Sequence, residues 1–137
     1  MSKLKIFFLL LPFIGVTGWM MYYANFVQNA QEVILPVTGY DPRNLLSGHY
    51  IEFNIDWLKA DCHQVDWNGS CPTDSFRGVN RYYVPENRAK QIEALINRGD
   101  ISAEVVFAYQ KGKKAIVKDL LFNGQQWQKY LQTKNIK

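Results

Sequence analysis

The stretch HYIEFNIDW, residues His49 to Trp57, alternates between apolar and polar side chains. Its apolar members include Ile51, Phe53 and Ile55, and a polar residue separates each from the next. This period of two is typical of a strand with one face in a core and the other toward solvent. Gly48 comes directly before it, and glycine tolerates the positive φ angle of a sharp turn. We therefore expect a turn followed by a half-buried strand.

Further strand-like runs surround this one. They are EVILPV (32–37), VNRYYVP (79–85), ISAEVVFAY (101–109) and KAIVKDLLF (114–122). Pro36 confines the first run to a sheet edge or a strand start, because proline has no backbone N–H to donate. The turn QKGK joins the last two runs and predicts a hairpin. Asn123-Gly124 predicts a tight turn, and the element after it stays undetermined.

The stretch ENRAKQIEALINRG, residues 86–99, predicts an amphipathic helix. Pro85 and Glu86 suit its first turn, and Gly99 suits a left-handed cap at its end. Together these elements predict an α+β fold, in which a small, mostly antiparallel β domain carries one packed α-helix. Several aromatic side chains are expected to pack in this core and sheet: Trp57, Tyr82, Tyr83, Phe107, Tyr109 and Trp127.

The N-terminal stretch IFFLLLPFIGVTGWMMYYANFV, residues 6–27, contains no charged residue. About 20 apolar residues span the hydrocarbon core of a bilayer as a helix. The alternative is a cleaved signal peptide, but the apolar run is long for one and Val16-Thr17-Gly18 is a poor cleavage pattern. Lys3 and Lys5 precede the run, and such charges stay on the cytoplasmic side.

This pattern predicts a single-pass inner-membrane protein with a cytoplasmic N-terminus and a periplasmic C-terminal domain. The expected segments are a cytoplasmic N-terminus (1–5), a transmembrane anchor (6–27), a tether with the first β element (28–40) and an extracytoplasmic α+β domain (41–137).

Cys62 and Cys71 flank a polar loop and are the only cysteines of the chain. In an oxidising compartment such a pair usually forms a disulfide, and we predict one here. A metal site would combine them with His63 and with Asp61 or Asp66, but this spacing matches no familiar zinc pattern. Free thiols are the third alternative. We expect neither a metal nor a cofactor.

The formal net charge is +4, with acidic residues interleaved among the basic ones. Nucleic-acid binding proteins usually concentrate positive charge on one face, so we expect no nucleic-acid partner. The predicted topology also separates the domain from nucleic acid.

Three stretches resemble the bacterial GDYXXLXY proteins in the right order: DPRNLLSGHYIEF (41–53), RYYVPENRAKQIEAL (81–95) and KAIVKDLLFNGQQW (114–127). The resemblance implies an N-terminal membrane anchor, an extracytoplasmic domain and no established biochemical activity. It also implies a partner in the bilayer, because members often occur beside multi-spanning membrane proteins. We therefore expect another membrane or envelope protein as partner.

The chain departs from the family motif at its centre. Gly48 and Tyr50 match the motif, whereas His49 replaces its aspartate, Phe53 its leucine and Ile55 its last tyrosine. A catalytic role for that aspartate in relatives would not transfer to this chain. A role in a turn would transfer more easily, since both aspartate and histidine form local hydrogen bonds.

Two functions are consistent with these residues. The first is an anchored interaction module that contacts a partner through Trp67, at the tip of the cysteine loop, or through the segment 41–50. The second is a small membrane-anchored hydrolase or peptidase that uses Ser47, His49 or His63. The sequence lacks a Gly-x-Ser-x-Gly elbow, so a turn leading into a strand is the favoured interpretation of Ser47 and His49.

Asp41, Pro42 and Arg43 begin the domain. Pro42 fixes the local backbone, Asp41 suits a turn-capping role, and Arg43 is expected to pair with an acidic side chain such as Glu52 or Asp119. A local structural network is the favoured interpretation over a ligand site.

Overall fold

The computed structural model describes residues 3–39, 50–64 and 68–135. The chain divides into two compact units, Met1–Ala30 and Gln31–Lys137. The predictions for Asp41, Pro42, Arg43, Ser47, Gly48, His49 and Trp67 lie outside the described residues.

The first unit is a single helix, α1 (Lys3–Asn29). Within the described residues it is the one helix that is long and apolar enough to cross a membrane, and none of its most hydrophobic stretch is buried. At 1.5 Å per residue, its 27 residues extend about 40 Å, which exceeds a hydrocarbon core of about 30 Å. Pro12 lies inside α1.

The second unit is built on six strands, β1 (Gln31–Gly39), β2 (Tyr50–Ile55), β3 (Arg81–Tyr83), β4 (Ala103–Tyr109), β5 (Ile116–Phe122) and β6 (Gln125–Gln126). They form one sheet in the order β3-β2-β1-β4-β5-β6, and every neighbouring pair is antiparallel. Strand β1 therefore lies between β2 and β4 with Pro36 inside it, and the expectation that Pro36 confines this strand to a sheet edge or a strand start is wrong. The sheet curls into a half-barrel, and the predicted α+β class is confirmed.

Within the described part of the domain, three helices accompany the sheet, α2 (Thr73–Phe76), α3 (Glu86–Asn97) and α4 (Trp127–Asn135). The helix α3 is the one that the sequence predicts, and it buries Ile92, Leu95 and Ile96. The sequence did not predict the other two helices. The short α2 lies in the connection from β2 to β3, and α4 is the element after the Asn123-Gly124 turn whose type the sequence left open. Trp127 and Leu131 of α4 are buried.

The burial of the β2 side chains follows the alternation from which this strand is predicted. Ile51 and Phe53 are buried, whereas Asn54 of the same strand is exposed. Tyr83 differs from the core role expected for it, because it is 71% exposed. It alternates with Tyr82 on β3, and neighbouring residues of a strand point to opposite faces.

The half-barrel is filled by aromatic side chains that meet at Phe76 of α2. The ring of Phe76 lies 5.1 Å from Phe107, 5.8 Å from Tyr109 and 5.7 Å from Trp57, measured between ring centroids. Phe107 in turn contacts Phe53 at 6.2 Å. Phe76 therefore fastens the long connection between β2 and β3 to the core of the sheet.

The predicted tight turn at Asn123-Gly124 is present, with φ angles of 50° and 77°. Paired positive φ angles suit a hairpin turn that matches the strand twist, and Asn-Gly tolerates them at low cost. The backbone N–H of Asn123 donates to the Ser102 carbonyl, and its side-chain oxygen accepts from the Ser102 N–H. The turn is thereby tied to the start of β4.

Candidate functional site

Four side chains on β2 and β3 form a surface group that we call the Tyr50 cluster: Tyr50, Glu52, Arg81 and Tyr83. The strand register places Tyr50 opposite Tyr83 and Glu52 opposite Arg81. Residues opposite each other on one face of a sheet are close enough for their side chains to interact. The register therefore assembles the cluster from residues about 30 positions apart in the sequence.

The contacts within the cluster hold its side chains in place. Arg81 Nε donates to Glu52 Oε1 over 3.1 Å, and its guanidinium carbon lies 4.6 Å from the centroid of the Tyr50 ring. The rings of Tyr50 and Tyr83 meet edge to face at 5.9 Å. An arginine that is both paired and stacked loses less side-chain freedom when a partner binds.

The exposure of the cluster suits a contact surface. Tyr83 is 71% exposed, and the side chain of Arg81 is 52% exposed, whereas that of Glu52 is only 13% exposed. Tyrosine and arginine are enriched among the residues that dominate protein interfaces. The cluster also lies on β3, which is an edge strand of the sheet.

The cluster lies far along the sheet from Gln31, the first residue of β1. Strand β1 begins at Gln31 and ends at Gly39, which pairs with Phe53 of β2. Eight steps of about 3.3 Å give about 26 Å, and Tyr50 lies three residues beyond Phe53 in the same direction. The two ends of the sheet therefore present different surfaces.

A second feature links the cysteine loop to the sheet. Cys62 and Cys71 form a disulfide, as predicted. Beside it, Gln64 accepts from the backbone N–H of Ile34 at 3.0 Å and donates to the Ile34 carbonyl at 2.7 Å. The carboxamide of Gln64 thus acts like the peptide group of a neighbouring strand.

This clamp covers a section of β1 to which β2 does not extend, since β2 pairs only with residues 37–39. An uncovered strand edge invites pairing with other chains, and natural proteins usually protect such edges. We infer that the disulfide loop protects the edge of β1 at Ile34.

The two edges of the half-barrel approach each other through side chains rather than through backbone pairing. The Tyr82 hydroxyl donates to Asp119 Oδ1 at 3.3 Å, and Trp127 Nε1 donates to the Tyr82 oxygen at 3.1 Å. Asp119 also accepts from Gln126 and from the backbone N–H of Leu120. This network joins β3 to β5 and α4.

A register shift in β5 accompanies this network. Val106 pairs with Asp119, whereas its neighbour Phe107 pairs with Val117, so Lys118 is the extra residue of a bulge. Bulges redirect side chains and increase the local twist. Next to the network, Lys118 forms an ion pair with Glu32 of β1.

Burial raises the pKa of the Tyr82 hydroxyl above its ordinary value of 10.0. The hydrogen bond from Trp127 acts in the opposite direction, and the negative charge of Asp119 together with the hydrogen bond to it raises the pKa further. Folding therefore favours the neutral tyrosine.

We expect Tyr82→Phe to lower the free energy of unfolding at neutral pH by about 1–2 kcal/mol, because Trp127 and Asp119 each lose a partner. Because the pKa of Tyr82 is raised in the folded state, its contribution to the free energy of unfolding is complete below pH 10 and decreases as the pH rises above 10. Denaturant unfolding of the parent chain and of the Tyr82→Phe variant, repeated at several pH values, measures the difference in stability. A difference in stability between the two proteins that stays constant above pH 10 would contradict the prediction.

The other predicted site residues are placed as follows. Pro85 directly precedes α3, and Glu86 is the acidic residue of its first turn. His63 lies in the cysteine loop, where a Cβ on Gly69 would come within 3.2 Å of its ring. Its backbone N–H donates to Asp61. Within the described residues, no group of three or more His, Cys, Asp or Glu side chains is arranged to hold a metal ion.

The acidic residues proposed as partners for Arg43 have other contacts. Glu52 pairs with Arg81, and Asp119 belongs to the Tyr82 network. Sequence reasoning missed the surface roles of Arg81 and Tyr83. The signal that identifies them is the alternation on β3, because an inward Tyr82 implies outward neighbours on both sides.

The comparisons with known proteins cover part of the chain. Neither a curated protein nor a solved structure matches it. A family model does match, and its matched stretch runs from within α1 to the end of α2. Phe53, at the motif's leucine position, is fully buried, and Tyr50, at its first tyrosine, belongs to the surface cluster. The resemblance to the GDYXXLXY proteins is confirmed over residues 13–76, which match the family model described as GDYXXLXY protein.

Proposed function

We propose that this protein is a membrane-anchored interaction module whose β domain lies outside the cytoplasm and binds another membrane or envelope protein through the Tyr50 cluster. The observation that carries the proposal is the cluster itself. Exposed tyrosine and arginine side chains are held in place by mutual contacts on an edge strand.

The charge distribution around α1 supports this orientation. Lys3 and Lys5 lie at its N-terminal end, and the following residues up to Gln31 carry no charge. Lysine and arginine are retained on the cytoplasmic side of a membrane. The domain that begins at Gln31 would then lie on the opposite side, which is the periplasm if the membrane is the bacterial inner membrane.

The disulfide also supports a location of the β domain outside the cytoplasm. Disulfides persist in oxidising compartments and are rare in the cytosol. Cys62 and Cys71 are both bonded, and they belong to the loop that protects the β1 edge. The edge of β1 would therefore stay protected only in a compartment where the disulfide can form.

The position of the Tyr50 cluster restricts the partner. The cluster belongs to the β domain, which would lie outside the bilayer. A partner that contacts it needs a folded part or a loop outside the bilayer, so contacts between membrane helices alone do not suffice. Trp67, which lies between the two cysteines in the sequence, is a second proposed contact.

Photo-crosslinking in cells tests the proposal. A photoreactive phenylalanine replaces Tyr83 in the full-length tagged chain, and crosslinked proteins are identified by mass spectrometry. The matched control carries the same probe at Lys129, an exposed residue of α4. We expect one partner protein to crosslink at position 83 and not at position 129.

Two variants refine the test. Arg81→Ala removes the side chain that joins Tyr50 and Glu52, and we expect it to reduce the crosslink at position 83. Trp67→Ala tests the second contact. Equal, nonspecific crosslinking at positions 83 and 129 would contradict the proposal, as would a partner that also binds a chain consisting of α1 alone.

A further inference from the structure

Strand β3 covers only part of the β2 edge that faces it. It pairs with residues 50–52, and beyond them the backbone N–H of Phe53 donates to the Asn80 carbonyl at 3.0 Å. The same register would place Ile55 opposite Gly78. The φ angle of Gly78 is 73°, however, so the chain turns there and does not continue along β2 as a strand.

The alternation of the ladder fixes the direction of the Ile55 backbone groups. Successive residues of an antiparallel strand direct their N–H and C=O groups toward opposite edges. The N–H of Phe53 points toward β3, and that of Asp56 donates to the Pro36 carbonyl on β1. The N–H and C=O of Ile55 therefore point away from β1, and within the described residues no group of β3 pairs with them.

A groove of about 430 Å³ lies beside this uncovered edge, between the end of β2, α2 and the residues that lead into β3. Ile55, Trp57 and Val79 contribute partly buried apolar side chains to it. Ligand sites in proteins are usually clefts of about 300–1,000 Å³ that combine apolar walls with a few polar groups. The groove therefore has the size and the composition of a small ligand site.

The charge beside the groove is positive. Arg77 lines it, and none of the described residues that line it is acidic. Arg77 pairs with Asp74 at 3.4 Å, but both side chains are highly exposed and such pairs are weak. Lys114 Nζ lies 3.8 Å from the point that a Cβ on Gly78 would occupy. The groove thus favours an anionic group next to an apolar one.

We propose that this groove binds the carboxyl-terminal end of an extended peptide. The peptide backbone pairs with the N–H and C=O of Ile55, one of its apolar side chains packs on Trp57 and Val79, and its terminal carboxylate binds Arg77. Addition of a strand to an open sheet edge and capture of a terminal carboxylate are both recurring modes of peptide recognition. Arginine is well suited to bind a carboxylate through two parallel hydrogen bonds.

This site is distinct from the Tyr50 cluster. The groove uses the last residues of β2, whereas the cluster uses Tyr50 and Glu52 near its start. The proposal therefore goes beyond the function proposed above, and its test does not depend on the partner of the cluster.

Fluorescence anisotropy tests the binding with the full-length chain in lipid nanodiscs, and empty discs supply the background. The probe is a fluorescein-labelled peptide of alternating serine and phenylalanine that ends in phenylalanine with a free carboxylate. The same peptide with a carboxamide end is the matched ligand. We expect the free acid to bind about ten-fold or more tightly than the carboxamide, because only the acid gives Arg77 a charged acceptor.

Arg77→Gln should weaken binding of the free acid by about ten-fold and leave binding of the carboxamide unchanged. The exposure of Arg77 makes this substitution compatible with the fold. Arg98→Gln is the matched control, because Arg98 is also exposed and also pairs with an aspartate, Asp100, but does not line the groove. It should leave both affinities unchanged.

Hydrogen exchange at the Ile55 amide tests the added strand. We expect the peptide to slow this exchange by about ten-fold or more, because the Ile55 N–H becomes a donor to the peptide backbone. Phenylpropionate, which has a ring and a carboxylate but no peptide group, should leave the exchange unchanged.

Three results would overturn the proposal. The first is the absence of saturable peptide binding up to about 1 mM. The second is equal affinity for the free acid and the carboxamide, or an equal effect of the Arg77 and Arg98 variants. The third is peptide binding without slower exchange at Ile55, since the groove would then accept a carboxylate and not a strand.

Discussion

Phe76→Ala is expected to lower the free energy of unfolding by about 3–5 kcal/mol, as is usual when a buried phenylalanine is truncated. Phe76 is 3% exposed, and its ring contacts Trp57, Phe107 and Tyr109. The substitution removes the apolar contacts and leaves a cavity among rings that cannot collapse fully. It also releases the connection between β2 and β3 from the core, so we expect the near-ultraviolet circular dichroism of these aromatics to weaken.

Denaturant unfolding of the full-length chain in detergent measures the effect. Asp74→Ala is the matched control on the same helix, because the side chains of Asp74 and Arg77 are both highly exposed and such ion pairs contribute about 0–1 kcal/mol. The Asp74 variant should unfold within about 1 kcal/mol of the parent chain. A loss below about 1 kcal/mol for Phe76→Ala would show that Phe76 does not fasten the connection.

The half of the fold that depends on local pattern was predictable from the sequence. The period of two in β2, the helical spacing of Ile92, Leu95 and Ile96, and the turn at Asn123-Gly124 each reflect a constraint within a few residues. Such constraints act before any tertiary contact forms, so the sequence displays them directly.

The parts that the sequence did not reveal depend on contacts between distant residues. The stretch TDSF has no periodicity that marks α2 as part of the core, and Phe76 is buried because three rings from other elements surround it. Gln64 and Ile34 are 30 residues apart, and Tyr82 and Asp119 are 37 apart. A single sequence specifies such pairs only through the completed topology.

The same limit explains the candidate site. Gly48 and Tyr50 match the family motif, but the motif does not identify the other members of the Tyr50 cluster. Arg81 and Tyr83 join Tyr50 only through the β2–β3 register. The connection between those strands contains the cysteine loop and α2, so no short hairpin signal defines the register.

Replacement of both Cys62 and Cys71 by serine is expected to lower the free energy of unfolding by about 3–4 kcal/mol. The cysteines are 9 positions apart, and the chain-entropy estimate for a loop of about ten residues is about 2.7 kcal/mol. The remainder, about 1 kcal/mol, comes from the hydrogen bonds between Gln64 and Ile34, which need the loop held beside β1. Denaturant unfolding of the oxidised, reduced and double-serine chains measures the total.

Hydrogen exchange at the Ile34 amide separates the two contributions, because that N–H donates to Gln64. Gln64→Ala keeps the disulfide but removes both the oxygen that accepts from the Ile34 N–H and the amide that donates to the Ile34 carbonyl, so we expect faster exchange at Ile34 and only the smaller stability loss. The double-serine chain should show both effects. If its Ile34 amide exchanged as slowly as that of the oxidised chain, the clamp would not depend on the disulfide, and the bond would stabilise the loop without protecting the edge of β1.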